Sequence, residues 1–250
     1  SWKLARIAGI DVRVHATFLL LLGWIGLDAY RRSGTTADAL AGMGFVLLVF
    51  AIVLLHEYGH ALAARRYGIP TRDITLLPIG GVARLERMPR EPRQELVVAL
   101  AGPAVNVVLA LLLWVGLRAA GGAPDPMGVA DERFFGRGLA ERLLQVNVWL
   151  AAFNLIPAFP MDGGRVLRAV LAWRSGDYAT ATRRAAAVGR FFALVFGLLG
   201  LFVFENPMLV FVALFVWLGA AGEAGAVQEQ ATLADLPMEH VMVPSVRTLA

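Results

Sequence analysis

Apolar residues in this chain gather into long runs, with neither the strict alternation of exposed strands nor the narrow stripe of surface helices. Six runs approach the ~20 residues that a helix needs to cross a bilayer. They cover residues 14–30, 39–55, 96–117, 143–161, 191–204 and 207–222. The second continues through His56 and Glu57 to Ala64, and the fifth extends backwards through residues 185–189. Glu205 and Asn206 between the last two predict a tight turn joining two helices. Residues 69–88 behave differently. They alternate loosely and contain Pro70, Pro78, Gly80 and Gly81, which predicts short strands at the membrane surface. Residues 121–138 form a polar, Gly- and Pro-bearing loop, and residues 223–237 have the character of a linker leaving the membrane.

Composition agrees with an α-helical integral membrane protein. Hydrophobic residues make up 58% of the 250 residues and charged residues 17%. Soluble domains run at about 45–50% apolar and about 25% charged, so lipid must cover the excess. There are no cysteines, which leaves histidine and carboxylate as the metal ligands available. No signal peptide is visible in the first residues. The basic pI of about 10.1 does not point to nucleic acid, because the Lys and Arg residues flank apolar runs instead of forming a patch. With six spans, Arg31, Arg32, Arg118, Arg133, Arg137 and Arg142 fall on one side and the other 17 of the 23 basic residues on the opposite side. Positive residues accumulate in the cytoplasm, so both termini are expected there, in a multi-pass protein of the cell membrane.

The chemistry centres on His56-Glu57-Tyr58-Gly59-His60. On a helix, residues four apart share a face, so two imidazoles can reach one Zn²⁺ at about 2.0–2.1 Å. Glu57 sits beside the first ligand, placed to take a proton from water. Three ionisable residues directly after 17 uncharged ones need a common reason, since each costs at least about 2.5–3.5 kcal/mol in a bilayer. A bound divalent cation supplies that reason. The site needs a third protein ligand. His240 lies in the polar tail, and His15, opening the first run, reads as an interfacial residue. Asp162 stands out: Pro157 and Pro160 break the helix before it and Gly163-Gly164 free the backbone after it. Such backbone at membrane depth must line a cavity or be buried in protein. The alternative for Asp162 is a helix N-cap.

Three segments, His56–His60 with Leu55 before it, Ala101-Gly102-Pro103-Ala104-Val105-Asn106, and Asn154 through Asp162-Gly163-Gly164, occur in the order that resembles the site-2 protease family of intramembrane zinc metalloproteases. The resemblance covers about residues 1–222. It implies that Asp162 is the third zinc ligand and that a short β region follows the zinc helix. Asn154 is a candidate catalytic residue, a neutral amide able to stabilise an oxyanion. Asn106 is a second candidate, its alternative being a hydrogen bond between helices.

Glu239-His240-Val241-Met242-Val243-Pro244-Ser245-Val246 resembles the opening of a CBS domain, a cytosolic module that often binds adenine nucleotides. The expected organisation is therefore a transmembrane metalloprotease domain over 1–222, a linker over 223–238, and over 239–250 the beginning of a CBS domain cut short. The expected activity is zinc-dependent hydrolysis of peptide bonds in or near transmembrane segments of membrane-anchored substrates, the reaction of regulated intramembrane proteolysis. Zinc transport would explain buried His and Asp but not Glu57 between the ligands. An inactive membrane scaffold would not need an intact His-Glu-x-x-His.

Overall fold

The computed structural model describes residues 1–78, 80–87, 89, 91–127 and 138–234, and divides into two compact units after Ile156. The CBS-like segment, His240 and most of the 121–138 loop lie outside the described residues.

The N-terminal unit combines a small sheet with four helices. Strands β1 (Trp2–Ile7) and β2 (Ile10–Val14) form a hairpin turned by Ala8 and Gly9, both at positive φ. Strands β3 (Thr71–Leu77) and β4 (Gly80–Leu85) form a second antiparallel hairpin, and β2 pairs with β3 in parallel to give the order β1-β2-β3-β4. The second hairpin lies where residues 69–88 predict strands. The first is additional to the sequence reading. Its signal is the alternation Ile10, Val12, Val14, all buried, with Asp11 and Arg13 between them. Residue 14 therefore ends a strand, and the helix starts only after His15.

His15 caps α1 (Ala16–Ser33), its Nδ1 2.8 Å from the Thr17 hydroxyl, in keeping with an interfacial residue. Gly34, at φ 73°, closes that helix by donating its N–H to Tyr30 O. Then follow α2 (Thr36–Arg65), α3 (Pro92–Ala119) and α4 (Leu139–Asn154). The sheet covers one side of α2, where Ile10, Val12 and Ile74 pack on Tyr58 and Ala61, and Tyr58 donates its hydroxyl proton to Ile7 O at 3.0 Å. Burying side chains of this size contributes about 1.5–3 kcal/mol each.

The C-terminal unit holds the broken segment before Asp162, then α5 (Asp162–Ser175), α6 (Tyr178–Phe202) and α7 (Pro207–Ala234). The expected turn at Glu205-Asn206 joins α6 to α7, with Asn206 Oδ1 accepting from Met208 N at 2.9 Å. Residues 223–234, expected as a linker, instead continue α7, as their Ala, Glu and Gln content favours. Gly164 and Gly219 allow the Ala158–Pro160 segment to pack closely. A Cβ on Gly164 would lie 2.6 Å from Phe159 N, and one on Gly219 would lie 2.5 Å from Pro160 Cδ.

Among the described residues, α2, α3, α6 and α7 are long and apolar enough to cross a membrane. The first and fourth runs form helices, but shorter or more charged ones. Helix α1 carries Asp28, Arg31 and Arg32 near its end, and the 16 residues of α4 reach only about 24 Å.

Candidate zinc-protease site

Each position of the His56–His60 motif faces a different neighbour, because successive residues turn about 100° around α2. His56 and His60 face α3, and both are buried. Their Nε2 atoms lie 3.1 Å apart. The opposite nitrogens are committed elsewhere. His60 Nδ1 lies 2.7 Å from the carbonyl of Val98, which can only accept, so the proton of His60 sits on Nδ1. His56 Nδ1 lies 2.5 Å from Asn106 Oδ1. Both imidazoles thus present a lone pair at Nε2 toward a shared position. Two imidazole nitrogens converging on one position suit a cation.

Glycines make the position possible. A Cβ on Gly102 would fall 2.2 Å from His60 Nε2 and 2.7 Å from His56 Nε2, so α3 offers the imidazoles a surface with no side chain. Gly59 lets the helices meet there, since its Cβ would stand 2.6 Å from Ala101 O. Pro103 follows inside the helix, without an N–H to bond its preceding turn. The half-buried Glu57 points to the sheet instead. Its Cγ would lie 2.8 Å from a Cβ on Gly81, so strand β4 passes directly over the carboxylate-bearing side chain. The donor types and the cradle at Gly102 fit a zinc ion.

Three further predicted residues have defined places. Asp162 is the first residue of α5, buried, with Arg165 Nη1 at 3.9 Å. Its N-cap is Met161, so Asp162 is not itself the capping residue. Asn154 ends α4 and donates one amide N–H to Leu150 O at 2.9 Å. Asn106 lies on α3, within reach of both α2 and α4. It is fully buried, with Oδ1 on His56 and Nδ2 donating to Asn147 at 3.1 Å, so both ends of its amide hold protein groups. The interhelical hydrogen bond anticipated as its alternative is what it makes. Gly59, Gly81 and Gly102 are close-approach positions around the motif that residue chemistry does not announce, since a glycine's place is visible only against its neighbour.

In the sheet beside Glu57, an ion pair ties β4 to β3. Arg84 Nε and Nη2 donate to the two oxygens of Asp73 at 2.9 and 2.6 Å. This hydrogen bonding, with the nearby charge of Arg13, holds the Asp73 carboxyl below its ordinary value, against the opposing effect of burial.

Helices of bilayer length, a histidine pair with converging lone pairs and a glutamate beside it define a membrane-embedded zinc metalloprotease. The Peptidase family M50 model matches residues 44–136 and 138–198, more than half of the chain, and the chain belongs to that family. It is 37% identical to a zinc metalloprotease of Methanocaldococcus jannaschii over 98% of this chain and 67% of that protein. It is 32% identical to the Rip3 protein of Mycobacterium tuberculosis over 98% of this chain and 64% of that one. The chain thus spans about two thirds of the length of these relatives. A solved structure, the site-2 protease from Methanocaldococcus jannaschii, superposes with a TM-score of 0.62 at 32% identity, covering 100% of this chain and 99% of that one.

Proposed function

We propose that this chain hydrolyses peptide bonds within or beside the transmembrane segments of membrane-anchored proteins, with His56, His60 and Asp162 holding one zinc ion and Glu57 acting as the proton carrier. The observation that carries the reading is the 3.1 Å approach of two Nδ1-tethered imidazoles beside Glu57 on a helix of bilayer length. Asp162 is supported as the third ligand by its burial, by its place after a helix-breaking frame, and by the need for a donor beyond the two histidines. When bound, zinc would supply a Lewis acid that polarises a carbonyl and lowers the pKa of water to about 7. Glu57 takes a proton from the attacking water and returns it to the departing amine. Asn154, with an amide N–H beyond the one given to Leu150, is the proposed donor to the oxyanion.

A helical substrate hides its carbonyls and must unwind before cleavage. Strand β4 is an edge of the sheet and runs over Glu57 at Gly81. An extended segment adding to that edge would exchange its lost helix bonds for strand bonds next to the proton carrier. With α1 and α4 counted as spans, six cross the membrane, and the distribution of Arg and Lys puts both termini in the cytoplasm. The CBS-like tail would then place an adenine-nucleotide module on the same side as Arg65, the end of the zinc helix.

The test is metal content and cleavage of a model membrane substrate, measured on the same samples. Glu57→Gln should keep its zinc and lose about 10²–10⁴ in turnover. Asp162→Ala should lose zinc as well. Appreciable turnover by Glu57→Gln, or full zinc in Asp162→Ala, overturns the respective role.

A further inference from the structure

We infer that Asn147 is a positioning residue for the metal centre, fixing through Asn106 which nitrogen of His56 is available to zinc. This rests on His56 being a zinc ligand, as proposed above. Asn147 is fully buried in the middle of α4, on a different helix from both residues it serves. Its Nδ2 donates to Leu143 O at 2.8 Å. A backbone carbonyl can only accept, so this contact decides which end of the Asn147 amide is which. Asn147 Oδ1 must then point the other way, where it accepts from Asn106 Nδ2 at 3.1 Å. That in turn sets Asn106 with Oδ1 toward His56 Nδ1, 2.5 Å away. An oxygen there requires the proton on Nδ1, and Nε2 keeps the lone pair that a metal needs.

The chain of bonds runs in one direction from start to finish. Without the acceptor on Asn147, the Asn106 amide can turn over and present its NH₂ group to His56 Nδ1. A donor in that place favours the tautomer with the proton on Nε2, which cannot bind zinc. His60 has no such weakness, because its Nδ1 is held directly by the Val98 carbonyl. One ligand is oriented by backbone, the other by a relay of two side chains across three helices.

The experiment measures zinc affinity by chelator competition and the visible spectrum of the cobalt-substituted protein, both independent of proteolysis. Asn147→Leu should weaken zinc by about 10–100-fold, the usual cost of losing an outer partner of a metal ligand, and should alter the cobalt bands. Asn147→Asp, protonated on the oxygen that faces Leu143 O, keeps an acceptor toward Asn106 and should bind near wild-type strength. Adding Asn106→Asp to Asn147→Leu should restore affinity, because a carboxylate accepts from His56 with either oxygen and has no wrong orientation. Gln145→Leu, which removes another buried polar group from α4, should change nothing. Wild-type affinity in Asn147→Leu, equal losses in Asn147→Leu and Asn147→Asp, failure of Asn106→Asp to rescue, or an equal loss in Gln145→Leu would each overturn the inference. If Asn147→Leu does not fold, a weakened Asn147→Asp overturns it by itself. His56→Ala separates the two levels: zinc retained there refutes the ligand assignment and the relay together. Zinc lost there but kept in Asn147→Leu refutes only the relay.

Discussion

Each unit of this protein buries a polar cluster among apolar helices, and these two clusters are built on opposite principles. In the N-terminal unit, the Nδ1 contacts of His56 and His60 run outward to Asn106 and Val98, Asn106 bonds on to Asn147, and the two Nε2 atoms face each other. In the C-terminal unit, Arg168 is only 1% exposed, is bonded to Glu223, and lies 5.0 Å from the rings of both Phe159 and Tyr178. There the charges meet each other and the rings take up the guanidinium face, so opposite charges cancel within the cluster. The first cluster turns two nitrogen atoms, His56 Nε2 and His60 Nε2, toward one position. In the second, Arg168 and Glu223 supply each other's opposite charge. Burial of polar groups alone therefore does not mark a site; the direction in which their donors and acceptors point does.

That contrast can be broken most severely at Gly102. Gly102→Ala places a methyl group 2.2 Å from the present position of His60 Nε2 and should reduce zinc to background, with the helices still formed. Metal analysis together with circular dichroism checks this, and a full complement of zinc would move the metal away from the histidine pair.

The second cluster should fail differently. Arg168→Met leaves Glu223 without its charge partner and should destabilise the protein by about 3 kcal/mol, the low end for a broken buried pair because Glu223 keeps some exposure. Arg168→Met combined with Glu223→Leu should recover most of that loss in thermal melts, since a buried ion pair can often be replaced by apolar groups at little cost. A double variant as unstable as the single would show that the pair is irreplaceable and the contrast drawn here too sharp.

The smallest expected effect concerns the surface sheet. The Asp73 carboxyl is held below its ordinary value of 3.8, chiefly by its hydrogen bonds from Arg84. A lowered carboxylate stabilises the fold fully above the ordinary value, and that contribution disappears as the pH falls through the lowered one. Asp73→Asn should cost on the order of 1 kcal/mol near neutral pH. The difference from wild type should shrink as melts are taken further below pH 4. A constant difference across that range would assign the effect to packing.

Much of this molecule follows from local pattern. The runs of apolar residues specify the long helices, since a bilayer accepts little else, and the turn at Glu205-Asn206 follows from two polar residues between two such runs. The His56–His60 spacing specifies a metal-binding helix face because helical periodicity alone brings residues four apart together. Asp162 is legible from the prolines and glycines around it. The N-terminal hairpin was legible in principle from Ile10, Val12 and Val14, but five residues of alternation beside a long apolar run are easily absorbed into the run.

What only the tertiary structure decides is direction. Asn106, Asn147 and Asn154 are each a polar residue in an apolar stretch, and nothing local distinguishes them. The first two join a relay ending on His56 because α3 and α4 bring their amides within 3.1 Å, while the third bonds back to its own helix at Leu150. In the same way Gly102 is a spacer or a metal cradle depending on what α2 presents to it. Residue type sets which bonds a side chain can make. Which of them it does make depends on atoms tens of residues away in the chain, and hydrogen-bond orientation and close approach exist only once those atoms are in place.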